Sequence, residues 1–236
     1  VDLATNGTFQ GLPRTLTNDW DFTPGTPTWA ADSEAIRFLS ALGGNQHLFE
    51  VTITGDIIRQ ITAGDRRIES VTESDDGLVM AYTVTDAVSP AEVYVNRGDG
   101  TLQRKVTPFN DEWLSKVNLQ IPERLTWTVT DGTEIEGWLI KPTEYEASRQ
   151  YPMILKIHGG PHSAYGNTFF PTFHALSAAG FFVLYSNPRG SSGYGHEFKY
   201  ATRGQWGVMD SEDFLKGVDA ALAQYPDADS ARLGVS

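Results

Sequence analysis

Apolar residues recur along this chain with two different rhythms, and the change falls near residue 114. Before it, short segments mix apolar with polar side chains and are bounded by glycine, aspartate or asparagine. They include Ala35-Ile36-Arg37-Phe38-Leu39, His47-Leu48-Phe49-Glu50-Val51, Gly77-Leu78-Val79-Met80-Ala81 and Ala91-Glu92-Val93-Tyr94-Val95. Such segments predict half-buried antiparallel strands joined by turns. They also repeat. Arg14-Thr15-Leu16-Thr17, Arg59-Gln60-Ile61-Thr62 and Arg104-Lys105-Val106-Thr107 start at positions 14, 59 and 104, successive offsets of 45. Strands at this period predict β-propeller blades of about four strands each, with Ile36 to Ser40 and Leu78 to Tyr82 as equivalent inner strands. A β-sandwich with a chance period is the other reading. About two and a half blades fit between Val1 and Trp113, and the smallest closed propellers need about four. The missing blades are therefore expected from the remainder of the same polypeptide or from a complementary chain that covers the open strand edges.

After a linker at Leu114 to Pro122 the rhythm alternates between strand and helix. Leu125 to Thr130 and Ile135 to Ile140 predict a hairpin around Asp131-Gly132-Thr133. Met153 to Ile157 is almost wholly apolar and too short for a helix, which predicts a central strand covered on both faces. A helix from Pro171 to Ala179, stopped by Gly180, leads into a second apolar strand, Phe181 to Tyr185, parallel to the first. An irregular loop, Asn187 to Gly195, follows. A helix from Asp210 to Gln224 presents Phe214, Leu215, Val218 and Leu222 as its apolar face. A turn at Asp229-Ser230 then leads into a strand from Arg232 to Ser236.

Charge and composition narrow the function. A net charge of −12 and a pI near 4.7 argue against nucleic-acid and anionic-membrane surfaces. With no cysteine, disulfides, thiolate catalysis and cysteine-held metals are excluded. The acids of the Asp210 to Gln224 helix have no histidine at metal-ligand spacing, so they read as partners of the helix dipole, and no metal is expected. The glycines of the 187–195 loop match neither a dinucleotide fingerprint nor a phosphate loop, so no cofactor is expected. No apolar run approaches the about 18 residues of a membrane span, and a cytoplasmic protein is expected.

Chemistry is expected where the Met153 strand stops, at His158-Gly159-Gly160-Pro161. Adjacent glycines let a carbonyl oxygen approach the backbone, and their N–H groups can face a developing negative charge, as in an oxyanion hole. From these four residues alone, an ordinary strand-to-loop turn fits as well.

His158-Gly-Gly-Pro161, Asn187-Pro-Arg-Gly190, Gly193-Tyr-Gly195 and Arg232-Leu-Gly-Val235 stand in order, and with them the chain resembles the prolyl oligopeptidase family of serine peptidases. The similarity is greatest to its acylaminoacyl-peptidase branch. The resemblance implies C-terminal blades of a β-propeller over 1–113, a linker over 114–122, and the first part of an α/β-hydrolase domain over 123–236. It implies hydrolysis of oligopeptides or N-acylated peptides, gated by the propeller, with a peptide as substrate partner and a homo-oligomer as a further possibility. It places an oxyanion N–H at Gly160, with Gly159 beside it, and makes Arg189 a structural residue of its loop. His162, Tyr165 and Tyr194 would line the cleft. No Gly-x-Ser-x-Gly elbow is present, and the family's nucleophile falls beyond Ser236. None of His47, His158, His162, His174 or His196 is then the triad histidine, Ser236 is not the nucleophile, and the chain by itself is expected to be inactive. A carboxylesterase of the same fold and a non-catalytic propeller module are the alternatives from other functional classes.

Overall fold

The computed structural model describes residues 2–3, 9–10, 12–55, 57–160 and 162–236. A short antiparallel pair, β1 (Asp2–Leu3) and β2 (Phe9–Gln10), precedes two four-stranded antiparallel meanders. The first comprises β3 (Thr28–Trp29), β4 (Ala35–Leu42), β5 (Asn45–Thr52) and β6 (Ile58–Gln60). The second comprises β7 (Arg67–Glu73), β8 (Val79–Thr85), β9 (Glu92–Arg97) and β10 (Arg104–Lys105). β4 and β8 are each the second strand of their meander, so the repeated segments do occupy corresponding places. Leu78 itself lies one residue before β8 and is exposed.

Alternation along these strands builds the core between them. Phe38 on β4 faces Phe49 on β5 in register, with ring centroids 5.9 Å apart, and Trp20 packs edge-on against both. The polar exception is Arg37, buried in the middle of β4. Its guanidinium pairs with Glu50 at 2.9 Å and with Glu73 of the other meander, and donates to Gly98 O at 3.2 Å. A buried charge without such partners would be too costly to keep, so Arg37 ties the two meanders together.

A short helix, α1 (Asp111–Leu114), leads into a five-stranded mixed sheet. Its strands are β11 (Glu123–Thr128), β12 (Glu134–Ile140), β13 (Tyr151–Lys156), β14 (Phe182–Asn187) and β15 (Ala228–Val235), in the order β11-β12-β14-β13-β15. β13 runs parallel to both β14 and β15, and α2 (Pro171–Ala178) connects β13 to β14. Successive residues of β14 point to opposite faces. Phe182 and Leu184 join Ile135, Leu139, Met153 and Phe214 on one side, while Val183 and Tyr185 join Trp138, Ile140 and Phe173 on the other. Two buried faces are why this strand carries no polar alternation.

The first face is closed by α4 (Met209–Gln224), whose Gly217 lies so near the Trp127 ring that a Cβ there would come within 2.9 Å of its carbons. The buried residues of α4 are Asp213, Phe214, Gly217 and Ala221. Leu215, expected on the apolar face, is 66% exposed, because the helical stripe through 214, 217 and 221 leaves it about 100° away. Another difference is α3 (His196–Tyr200), which follows the 187–195 loop directly. Ile157 stands outside β13 and is exposed. The turn expected at Asp229-Ser230 is a bulge inside β15. Asp229 accepts from Ala231 N (2.9 Å) and Arg232 Nε (2.6 Å), and the pairing with β13 slips between Tyr151 and Met153.

Ile135, on β12, is fully buried against the core of the mixed sheet. Ile135→Ala is expected to lower the free energy of unfolding by about 2–5 kcal/mol in urea titration. Leu215→Ala should change it by no more than about 0.5 kcal/mol. Equal losses at the two positions would contradict this packing.

Candidate active site

Parallel pairing of β13 and β14, with Lys156 beside Tyr185, brings their carboxyl ends together. The glycine turn after β13 and the Asn-Pro-Arg-Gly loop after β14 therefore meet, although far apart in sequence. Ligands collect at such strand ends in open α/β sheets. The contact is made of hydrogen bonds. Asn187, fully buried at the end of β14, accepts from Tyr165 N at 2.7 Å and donates to Tyr165 O at 2.9 Å. It also donates to Tyr194 OH at 2.8 Å, and that hydroxyl donates to Glu136 Oε2 at 2.5 Å. His158 Nε2 lies 3.0 Å from Ser191 Oγ, whose proton goes to Pro188 O. His162 Nδ1 donates to Gly190 O (2.9 Å), and Ser192 returns its hydroxyl to His162 O (2.6 Å) and its N–H to Ser163 O (3.1 Å).

Gly159 and Gly160 are exposed at the crest of this turn, and Gly160 has φ +145°. A Cβ on Gly160 would stand 2.7 Å from Ser163 N and 2.8 Å from His162 N, so only glycine fits without moving the turn. Pro161 lies outside the described residues. The residues named from the sequence do not share one place. His162 and Tyr194 line different cavities. The Tyr165 ring packs against Phe170, Phe173 and Tyr185 on the α2 face of the sheet. Arg189 is buried beneath the loop. It holds Asp213 through its backbone N–H (2.7 Å) and side-chain Nε (3.0 Å), Asp131 through Nη1 (2.5 Å) and Glu212 through Nη2 (2.9 Å). Those bonds tie the loop to α4 and to the β11–β12 turn.

Ser236 still belongs to the sheet. Its N–H donates to Leu155 O and its carbonyl accepts from Ile157 N, both at 3.0 Å, while Lys156 Nζ donates to its hydroxyl at 2.8 Å. The groups that sequence reasoning passed over are Asn187, Ser191, Glu136 and Asp213. Asn187 carried a signal, being the first residue of the Asn-Pro-Arg-Gly motif. Glu136 carried none, because a strand glutamate in an alternating segment reads as solvent-facing.

The site also touches the first meander. Gly43 N donates to Gly193 O (2.7 Å), Asn167 N to Gly44 O (2.8 Å) and Asn167 Nδ2 to Asn45 Oδ1 (2.8 Å). The β4–β5 turn thus braces the 187–195 loop at Gly193.

Burial holds His158 below its ordinary value of 6.5, and hydrogen bonds to Gly159 and Asn187 only partly offset it. Burial likewise lowers His47 and His174. Burial and the neighbouring Glu136 carboxylate push the Tyr194 hydroxyl up, so it stays a donor. For the histidines the folded state binds fewer protons than the unfolded chain once pH drops below 6.5. Their stabilising contribution is complete above that pH and is lost as pH falls towards the lower folded values. The urea midpoint should stay level from about pH 8 to 7 and decline from about 6.5 to 5, less steeply in His158→Gln. An identical decline in the variant would remove His158 from this account.

Comparison with known proteins matches residues 167–236 to the model of the prolyl oligopeptidase family. The chain is 36% identical over 210 residues to an uncharacterized peptidase, YuxL, of Bacillus subtilis, covering 89% of this chain and 32% of that protein. To dipeptidyl-peptidase 5 of Porphyromonas gingivalis it is 28% identical over 238 residues, covering 99% and 33%. The solved acylaminoacyl peptidase of Pyrococcus horikoshii superposes with a TM-score of 0.83 at 27% identity, covering 92% and 34%. The chain thus spans about a third of the length of the curated relatives it matches. Its glycine turn, its Asn-Pro-Arg-Gly loop and these similarities agree, and the chain belongs to the prolyl oligopeptidase family.

Proposed function

We propose that this chain is the segment of a serine peptidase that builds the oxyanion side of the active site, with Gly160 N–H, and Gly159 beside it, facing the scissile carbonyl. The observation that supports this reading is the glycine turn at the carboxyl end of β13, tied by Asn187, His158 and His162 to the loop after β14. A preorganised donor lowers the cost of the tetrahedral intermediate because it needs no rearrangement when charge develops. The two meanders are read as the last blades of a propeller over 1–113, joined through 114–122 to the hydrolase part over 123–236. In this reading the propeller restricts access, the substrate is an oligopeptide or N-acylated peptide, and Arg189 serves structure. In this reading the serine, the acid and the histidine of the triad are none of the 236 residues, since no Gly-x-Ser-x-Gly occurs among them.

The test uses a polypeptide that carries this segment together with a Gly-x-Ser-x-Gly elbow. It should hydrolyse acylaminoacyl or dipeptidyl chromogenic substrates and react with a fluorophosphonate at the elbow serine. Gly160→Ala should lower kcat by about a hundredfold with little change in KM, since it displaces a donor used in the transition state. Labelling of Ser236 by the fluorophosphonate, or turnover of short p-nitrophenyl esters with no peptide cleaved, would overturn the assignment.

A further inference from the structure

Of the cavities along the 187–195 loop, two carry opposite charge. The larger, about 910 Å³, is walled by Asp65, Asp86, Glu134 and Glu136, with Arg124 ion-paired to Glu136. The other, about 510 Å³, lies between the first meander and the turn after β13. Arg67, Lys199, His162, Gln46 and Ser192 line it, and among the described residues no carboxylate does. In a chain with 30 acidic residues against 18 basic ones, this is a local reversal of charge.

Its cations keep free capacity. Arg67 uses Nε on Glu69 (2.6 Å), a residue outside the cavity wall, and its two Nη groups make no hydrogen bond among the described residues. Lys199 Nζ donates to Thr23 Oγ1 at 3.0 Å, which leaves two of its three N–H groups. A guanidinium with both Nη groups free and an ammonium in one concave wall suit a carboxylate, which accepts charge-assisted hydrogen bonds from either group. His162 links the cavity to the site, since it lines the wall and is part of the glycine turn.

We propose that this cavity is an anion subsite that receives a carboxylate of the bound peptide, carried on an acyl cap or on an acidic side chain near the scissile bond. Its use on a peptide rests on the peptidase reading above; its binding of a carboxylate does not. A free α-ammonium is repelled from this wall and drawn towards the acidic cavity beyond the loop.

The experiment titrates the chain with succinate and follows amide chemical shifts. Saturable shifts are expected at Thr23, Gly25, Thr26, Ser40, Ala41, Ser192 and Gly193, and none with neutral succinamide. Affinity should fall about tenfold or more in Arg67→Met/Lys199→Met, and also as salt shortens the range of the field. The spectrum of the variant itself reports whether it is folded, and each single substitution should show part of the loss. No saturable shift, equal shifts with succinamide, or unchanged affinity in the folded variant would overturn the subsite. In the elbow-containing polypeptide, the same substitutions should lower kcat/KM for a succinyl-capped peptide and leave the acetyl-capped one unchanged. Succinate binding without any peptide cleavage would sink the peptidase reading and keep the subsite. Cleavage without succinate binding would sink only the subsite.

Discussion

The side chain of Asn187 does in one amide what the site needs done between two strands. It stands at the end of β14, has no exposure to water, and satisfies both backbone groups of Tyr165 beyond the glycine turn. A buried amide left unpaired costs about 1–3 kcal/mol per group, so it keeps its bonds as long as the sheet stays folded. Its second N–H reaches Tyr194 and, through that hydroxyl, Glu136 on β12. The position of the turn is thereby referred to three strands of the sheet. Remove this amide and His158, His162 and Ser192 would have to hold the turn from its exposed side alone.

Two further constraints keep the 187–195 loop in place. Below it, Arg189 is buried among three carboxylates, which makes the loop, α4 and the β11–β12 turn one unit. Truncating Asp213, the fully buried carboxylate of the three, would leave the Arg189 backbone N–H and Nε without their acceptor in the interior. Beside it, the backbone of Gly43 and Gly44 makes direct hydrogen bonds to Gly193 and Asn167. A Cβ on Gly193 would stand 2.7 Å from Gly43 O and one on Gly166 2.0 Å from Gly44 O, so the first meander touches the site through glycine. The meander is therefore part of the support of the turn as well as a wall beside it.

Much of this was legible in the residues. The unbroken apolar run of Phe182 to Tyr185 announced a strand buried on both faces, and the 45-residue offsets announced two equivalent meanders. What escaped were arrangements set by tertiary contact. α3 follows a glycine-rich loop and is too short for a periodic signal. Leu215 belongs by type to an apolar stripe, but the close approach of Gly217 to Trp127 turns a different stripe of α4 to the sheet. Asp229-Ser230 has the chemistry of a turn, and that chemistry is present as a bulge because parallel pairing with β13 continues across it. Glu136 is a strand glutamate in sequence, and only the fold shows that it receives both Tyr194 and Arg124. The glycine turn was found by motif, while the clamp that holds it had no sequence pattern beyond Asn-Pro-Arg-Gly.

The central claim is that the turn is held rigid by the loop after β14. Amide hydrogen exchange measures this most directly at Tyr165 and Ser192, whose N–H groups donate to Asn187 Oδ1 and Ser163 O. Both amides should be protected in the native chain, and both should exchange faster together in Asn187→Ala while amides of β13 and β14 keep their protection. Unchanged protection at Ser192 in that variant, or fast exchange of both amides in the native chain, would contradict a turn preorganised by this clamp.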